Sequence, residues 1–174
     1  MIINVRSFTY PLAVVRDFGL TGFQDPPAAQ ATRRRTQVRG KRDFKEGTML
    51  DHMILTVSDV QRSLAFYEAA LKPLNIKFFM PYKGKDGHPD LWGFGDGKRA
   101  FFWIKQGKPD PAAIHWGFMA EDEDKVDECY KAAISAGARD NISPRARLEY
   151  YPGYYAADVF DPDGYSFEVV HKSQ

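Results

Sequence analysis

The sequence has few cysteines and no long apolar runs, the features that would identify a disulfide-rich or a membrane protein directly. Its 174 residues include one cysteine, Cys129, so no internal disulfide can form, and we expect this residue to be a small buried side chain on a helix. No stretch approaches the ~20 consecutive apolar residues that a membrane-spanning helix needs. We therefore expect a soluble protein without a membrane partner.

Neither sign of charge predominates overall, since the formal net charge is +1. Residues 1–48 hold nine Lys and Arg against four Asp and Glu, whereas residues 49–174 hold fifteen against nineteen, so the two segments carry +5 and −4. An acidic main segment disfavours nucleic acid as a partner, because phosphate binding needs clustered basic side chains. The hydrophobic content of 44% is sufficient for a buried core, so we predict one domain over residues 49–174.

Residues 1–48 are predicted to be a separate, poorly ordered N-terminal extension. They combine Pro26-Pro27 with the basic run 33–35 and show no sustained helical or strand period. Arginine enrichment is typical of a mitochondrial transit peptide, but four acidic residues are not. We expect a cytoplasmic protein, with mitochondrial targeting as the minor alternative. A solvated tail and a gene model extended upstream are further interpretations of this segment.

The main domain contains an internal repeat with a spacing of 63 residues. A histidine, an aspartate, a tyrosine and a pair of alanines recur in register, at His52 and His115, Asp59 and Asp122, Tyr67 and Tyr130, and 69–70 and 132–133. Four matches across a strand and a helix indicate a duplication. We therefore predict two modules, over about residues 50–109 and 112–172.

Each module has the pattern of one strand followed by one helix. In the first, Ser58 opens a segment with the form of a capping box, and Pro73 ends the helix. In the second, the acidic residues 122–124 favour the positive end of a helix dipole, and Gly137 is the predicted C-cap.

Strand-like segments precede and follow both helices. They are 50–57, 76–80, 91–94 and 100–105 in the first module, and 114–120, a weaker segment near 138, 154–160 and 166–170 in the second. Connected strands of this kind curl over a helix. We predict an α+β fold of two tandem βαβββ modules that form a curled half-barrel sheet with the helices outside, the two modules together enclosing a cleft.

Three residues from distant parts of the chain form a candidate metal site. His52 and His115 lie at the start of the first strand of each module, on the face opposite the bulkier apolar residues. Glu168 lies in the last strand, where burying a carboxylate requires a cation or a donor. We predict one catalytic divalent ion (iron, manganese, zinc, nickel or cobalt) bound by these three residues. Taken singly, each histidine also fits a structural role, and Glu168 fits a solvent-facing one.

The chain resembles the vicinal oxygen chelate superfamily, which includes glyoxalase I, extradiol dioxygenases, epimerases, fosfomycin-modifying transferases and metal-free bleomycin-resistance proteins. The resemblance covers about residues 50–172 and is carried by residues 50–53, the run 63–67, His115 and the segment 154–164 ahead of Glu168. It implies metal ligands on the first and last strands of each module, which matches His52, His115 and Glu168. It also implies lyase, isomerase or oxygenase chemistry on a small oxygen-bearing substrate.

Two branches of that superfamily fit less well. A fourth ligand is implied near Phe101, Phe102 or Trp103, yet residues 97–109 contain no Asp, Glu or His, which disfavours glyoxalase I activity. Asp158 stands where the resemblance to extradiol dioxygenases implies a catalytic tyrosine. No histidine lies between His115 and His171, so that assignment is disfavoured too.

The predicted site is completed by tyrosine, aromatic and arginine side chains. Glu168 is a candidate base, and Tyr154 and Tyr155 are candidate proton donors or substrate contacts, with core packing as their alternative. Substrate contacts are further assigned to Trp103, Phe102 and Arg147. Arg147 and Arg145 lie in a predicted loop, where solvated arginines are the ordinary case.

Two other functional classes fit the same sequence. One is a metal-free binding or sequestration protein of the bleomycin-resistance type, in which aromatic residues line a pocket for a planar small molecule. The other is a scaffold whose modules pair or swap between chains. A homodimer is compatible with each of these interpretations, and a small molecule is the expected ligand of the enzyme and of the binder.

Overall fold

The computed structural model describes residues 50–173, so the predicted extension 1–48 lies outside the described residues. The elements are β1 Met53–Val57, α1 Val60–Ala70, β2 Lys77–Tyr82, β3 Leu91–Gly95, β4 Ala100–Gln106, β5 Trp116–Met119, α2 Glu123–Ser135, β6 Arg139–Ala146, β7 Tyr154–Phe160 and β8 Ser166–Lys172. A 3-10 turn over Lys72–Leu74 follows α1. Within these residues no helix is long and apolar enough to cross a membrane.

Each module builds its own four-stranded sheet. The strand orders are β1-β4-β3-β2 and β5-β8-β7-β6. In both sheets the first strand runs parallel to the last, while the other neighbouring pairs are antiparallel. The predicted α+β fold with two tandem βαβββ modules is confirmed, and β1 and β5 are edge strands of the described sheets.

The two helices begin at repeat-equivalent aspartates. The Asp59 carboxylate accepts the N–H of Arg62 at 3.0 Å, and Asp122 accepts the N–H of Lys125 at 2.8 Å. The predicted capping role of Ser58 is therefore wrong, because its hydroxyl is bound to Asp163 of the other module. After α2, Gly137 has a φ of 103°, the left-handed conformation that favours glycine at a helix end.

The modules share one hydrophobic core on the helix-covered sides of their sheets. Helix α1 packs against α2. Phe102 of β4 lies with its ring centroid 6.0 Å from that of Trp116 and 5.6 Å from that of Phe118, both on β5. Cys129 is also buried in this core, as expected from the sequence. Burying each large apolar side chain contributes about 1.5–3 kcal/mol, so the core holds the two modules together.

The turn between β7 and β8 adds polar contacts between the modules. The Tyr67 hydroxyl donates to Asp161 at 2.6 Å, and the Tyr165 hydroxyl donates to the carbonyl oxygen of Thr56 at 2.9 Å. Asp161 also accepts the backbone N–H groups of Asp163 and Tyr165. Burial raises the pKa of Asp161 above its ordinary value, although the Tyr67 hydrogen bond acts in the opposite direction.

Candidate functional site

Each sheet has an open face on the side away from the shared core. In β1, Leu55 and Val57 are buried in the core, whereas Ile54 is 44% exposed. His52 precedes Ile54 by two positions and therefore lies on the same face. In the second module, His115 has the parity of Met119, which is 63% exposed. The predicted placement of both histidines opposite the bulkier apolar residues is confirmed.

The open face of module 1 is largely apolar. It contains a depression of about 270 Å³ lined by Asp51, His52, Ile54, Tyr82, Leu91, Ala100 and Trp103. The Nδ1 atom of His52 lies 2.8 Å from Asp51 Oδ1, and this hydrogen bond lowers the pKa of Asp51. The Trp103 ring lies against Gly93, where an added Cβ would be 2.8 Å from ring atoms. Gly93 therefore makes room for Trp103 on this face.

The open face of module 2 carries a buried polar network centred on Glu168. Tyr154 donates to Glu168 Oε2 at 2.7 Å, and Arg147 Nη1 lies 3.5 Å from Glu168 Oε1. Burial, followed by the bond to Glu168, raises the pKa of Tyr154 well above its ordinary value. Beside Glu168, Asp158 and Ser166 are hydrogen-bonded at 2.8 Å, and Ser166 lies 2.9 Å from His115 Nδ1.

Arg147 is an anchored residue of this network. Its side chain is almost completely buried, and its Nε atom donates to Glu149 at 2.6 Å. The guanidinium carbon lies 4.7 Å from the ring centroid of Tyr150. Hydrogen bonds from Arg147, a backbone N–H and Arg145 lower the pKa of Glu149 to about 2. The expectation of a solvated arginine is therefore wrong for Arg147, because Glu149 and Glu168 both contact it.

The predicted site residues divide between the two open faces and the core. His115, Glu168, Tyr154 and Arg147 belong to module 2, whereas His52 and Trp103 belong to module 1. Among residues 50–173 no three His, Cys, Asp or Glu side chains form a group that could hold a metal ion. The three predicted ligands therefore do not form such a group within one copy of the chain.

Two predicted site residues lie on the core side instead. Phe102 is fully buried among core rings, and the Tyr155 hydroxyl donates to Asp127 of α2 at 3.0 Å. Their positions in the strands alternate with those of Trp103 and Tyr154, so they point toward the helices. We no longer assign them substrate contacts.

Sequence reasoning did not include Asp158 and Ser166 in the site. Asp158 pairs with Glu168 across β7 and β8, and Ser166 lies two positions before Glu168 on the same face. A charged residue flanked by Ala157 and Val159 in a buried strand was the signal that could have identified Asp158.

Comparison with known proteins agrees with this architecture. The model of the Glyoxalase/Bleomycin resistance protein/Dioxygenase superfamily matches residues 49–169. The chain belongs to this superfamily. No curated protein matches the sequence significantly.

Several solved structures of the glyoxalase superfamily share the fold at low sequence identity. A glyoxalase/bleomycin resistance protein from Albidiferax ferrireducens T118 has 23% identity over 72% of this chain and 100% of its own, with a TM-score of 0.57. A fosfomycin resistance protein from Listeria monocytogenes has 19% identity over 72% and 94%, with a TM-score of 0.54. Glyoxalase I from Leishmania major has 22% identity over 71% and 86%, with a TM-score of 0.51. At these identities the likeness concerns the fold alone.

Proposed function

We propose that this glyoxalase-superfamily protein is a divalent-metal-dependent enzyme that acts on a small oxygen-bearing substrate by lyase, isomerase or oxygenase chemistry. The observation that carries the proposal is the bonding of its two equivalent histidines. Each Nδ1 atom has a polar partner within 2.9 Å, Asp51 for His52 and Ser166 for His115. A histidine held through one ring nitrogen keeps the other for a metal, which is the usual arrangement of metal-ligating imidazoles.

The donor set fits a divalent ion. Two imidazole Nε2 atoms and one carboxylate are the ligands that iron, manganese, zinc, nickel and cobalt accept, with positions left for substrate and water. Glu168 is buried and has carboxylate lone pairs beyond those used by Tyr154 and Arg147. His52, His115 and Glu168 would hold the ion.

A homodimer would bring these ligands together. His52 lies on the open face of module 1 and Glu168 on that of module 2, so we propose that module 1 of one copy faces module 2 of a second copy. Exposed apolar side chains on or beside both faces support this pairing, since Ile54, Tyr82, Met119 and Leu148 are each at least 44% exposed. Unpaired β1 and β5 edges of the described sheets also favour contact with another chain.

The proposed chemistry assigns separate tasks to the side chains around the ion. When bound, the ion supplies Lewis acidity to neighbouring substrate oxygens. Glu168 is the candidate base for a substrate proton, and Tyr154, whose raised pKa keeps it protonated, is the candidate donor. Trp103 offers an apolar surface to the body of the substrate, and Arg147 offers positive charge to an anionic group.

Metal content tests the proposal. The full chain, purified without a His tag and equilibrated separately with each of the five ions, should retain about one ion per chain by elemental mass spectrometry. His52→Ala, His115→Ala and Glu168→Gln should each abolish retention. His88→Ala, in a loop outside the open faces, is the matched control and should retain the ion. A protein that retains none of the five ions contradicts the proposal.

Subunit mixing tests the shared site. In a shared-site dimer, co-expressed His52→Ala and His115→Ala chains regain one intact site per mixed dimer, although each variant alone has none. Light scattering should give the mass of a dimer. Ion retention by an equally mixed sample that stays at the level of the single variants contradicts a site built from two copies.

A metal-free small-molecule binding protein of bleomycin-resistance type is the second candidate. The Arg147–Glu168 contact favours it, because the buried carboxylate already has a cation nearby. In that case the apolar depression of module 1 and the polar network of module 2 would recognise the two ends of one ligand. This candidate predicts no bound ion, and binding of an aromatic ligand that Trp103→Ala weakens and His115→Ala leaves unchanged.

A further inference from the structure

We infer that Asp158, acting through Ser166, is a positioning residue that holds His115 in its Nδ1–H tautomer with the Nε2 lone pair available on the open face. The inference deepens the proposed function, and its consequence for metal binding rests on that function. The tautomer itself does not, since it follows from hydrogen bonds within one copy of the chain.

The direction of each hydrogen bond follows from what the groups can donate. The Ser166 hydroxyl donates its only hydrogen to Asp158 Oδ1 at 2.8 Å, because an ionised carboxylate can only accept. Ser166 Oγ must then accept at its other contact, 2.9 Å from His115 Nδ1. The hydrogen of a neutral His115 therefore lies on Nδ1, and its Nε2 carries the free lone pair.

The charge of Asp158 points to a role beyond packing. Its side chain is buried, with 7% of the residue exposed, and its second oxygen accepts the neutral amide of Asn141 at 3.0 Å. None of the ion pairs formed by residues 50–173 includes Asp158. A buried carboxylate without a cation is costly. A cation held by His115 at Nε2 would offset this cost.

Strand register explains how the three side chains meet. Ser166 begins β8, and His115 directly precedes Trp116, which pairs with Phe167 of β8. His115 is thus placed beside Ser166 along the parallel β5–β8 pair. Asp158 pairs with Glu168 in the antiparallel β7–β8 pair, on the same face as Ser166. Two strand residues and the residue directly before β5 therefore form one hydrogen-bonded line along the open face of module 2.

The order of the three groups excludes a serine-nucleophile triad. In such a triad the histidine lies between serine and aspartate, so that its ring removes the serine hydrogen. Here Ser166 lies between Asp158 and His115, and its hydrogen is directed to the carboxylate. Ser166 therefore links the Asp158 carboxylate to the His115 imidazole, and His115 Nε2 is the ring atom that faces a ligand on the open face.

Long-range 1H–15N correlation spectra of the full-length protein test the inference. At a pH where His115 is neutral, its Nδ1 should show the shift of a protonated ring nitrogen and Nε2 that of an unprotonated one, with the peaks assigned by their loss in His115→Gln. Ser166→Ala should move His115 toward the Nε2–H form. Ser166→Thr retains the hydroxyl and should restore the wild-type pattern, whereas Ser143→Ala, a matched loss of hydroxyl elsewhere on module 2, should leave it unchanged.

Asp158→Asn gives a second readout, because it keeps the shape but removes the charge. Affinity for the retained ion should fall by about 10- to 100-fold, as for other groups that orient a metal-ligating histidine. An Nε2–H tautomer in the wild-type protein, or a tautomer unaffected by Ser166→Ala, overturns the inference even if metal binds. The expected tautomer in a protein that binds no ion supports the inference and contradicts the proposed function instead, so the two failures are distinguishable.

Discussion

The two modules have the same strand order but opposite surfaces. The open face of module 1 is largely apolar and exposed, and His52 is hydrogen-bonded to the neighbouring Asp51. The open face of module 2 is more polar, with buried Glu168 hydrogen-bonded to Tyr154 and Arg147, and buried Asp158 hydrogen-bonded to Ser166. A duplicated backbone therefore carries two chemically different surfaces, one largely apolar and one polar.

The largest expected effect is a difference in stability between a variant on the core side of a sheet and a variant on its open face. Phe102 and Trp103 are neighbours in β4, but only Phe102 is fully buried, so Phe102→Ala should lower the free energy of unfolding by about 3–5 kcal/mol. Trp103→Ala, the matched control, should cost far less because its ring lies on the open face. Urea denaturation of both variants measures the difference. Equal losses would contradict the assignment of the two faces.

A smaller effect is expected within the polar network of module 2. Arg147→Ala removes the cation beside buried Glu168 and should lower the free energy of unfolding by about 1–3 kcal/mol. Arg145→Ala removes only an exposed partner of Glu149 and should cost much less. Thermal and urea unfolding of the pair provide the measurement. If both variants lose the same stability, Arg147 is not specifically coupled to Glu168.

The polar contact between the modules should depend on pH. The folded protein has a raised Asp161 pKa, so it binds more protons than the unfolded chain between the ordinary value of 3.8 and that raised value. The stabilisation from Asp161 is complete below pH 3.8 and is lost as pH rises through the raised pKa. Compared with Asp161→Asn, the wild type should therefore become relatively less stable as pH rises. Unfolding titrations across the acidic range measure the trend, and the opposite trend would show that Asp161 is stabilised as the anion.

Repeat spacing and strand alternation were sufficient to predict the modules and the face on which each histidine lies. Alternation also placed Glu168 on the face away from the neighbouring aromatic residues. It was not applied within the pairs Phe102–Trp103 and Tyr154–Tyr155, whose members were all assigned to the site although adjacent residues of a strand lie on opposite faces. Strand position alone could not show that His52 and Glu168 lie apart in one copy of the chain, since their separation depends on how the two sheets pack.

The partners of the polar residues were harder to predict than their positions. Ser58 was assigned as a cap, but the long-range contact with Asp163 uses its hydroxyl, and Asp59 caps the helix in its place. Arg147 was placed in a predicted loop, where solvated arginines are the ordinary case. The contacts of Ser58 with Asp163 and of Arg147 with Glu168 join distant parts of the sequence, and a local pattern carries no information about them.

The last prediction concerns chemical reactivity rather than stability, on the core side of module 2. Burial raises the pKa of the Cys129 thiol from its ordinary value of 9.0 to about 12. At pH 8 its thiolate fraction should be about a thousandfold lower than in the unfolded chain, and the thiolate is the nucleophile. Alkylation by iodoacetamide, followed by mass spectrometry, should therefore be slow in the native protein and rapid in urea. Rapid alkylation under native conditions would show that α2 opens readily, and it would mean that the core side of module 2 is less rigid than the network on its open face.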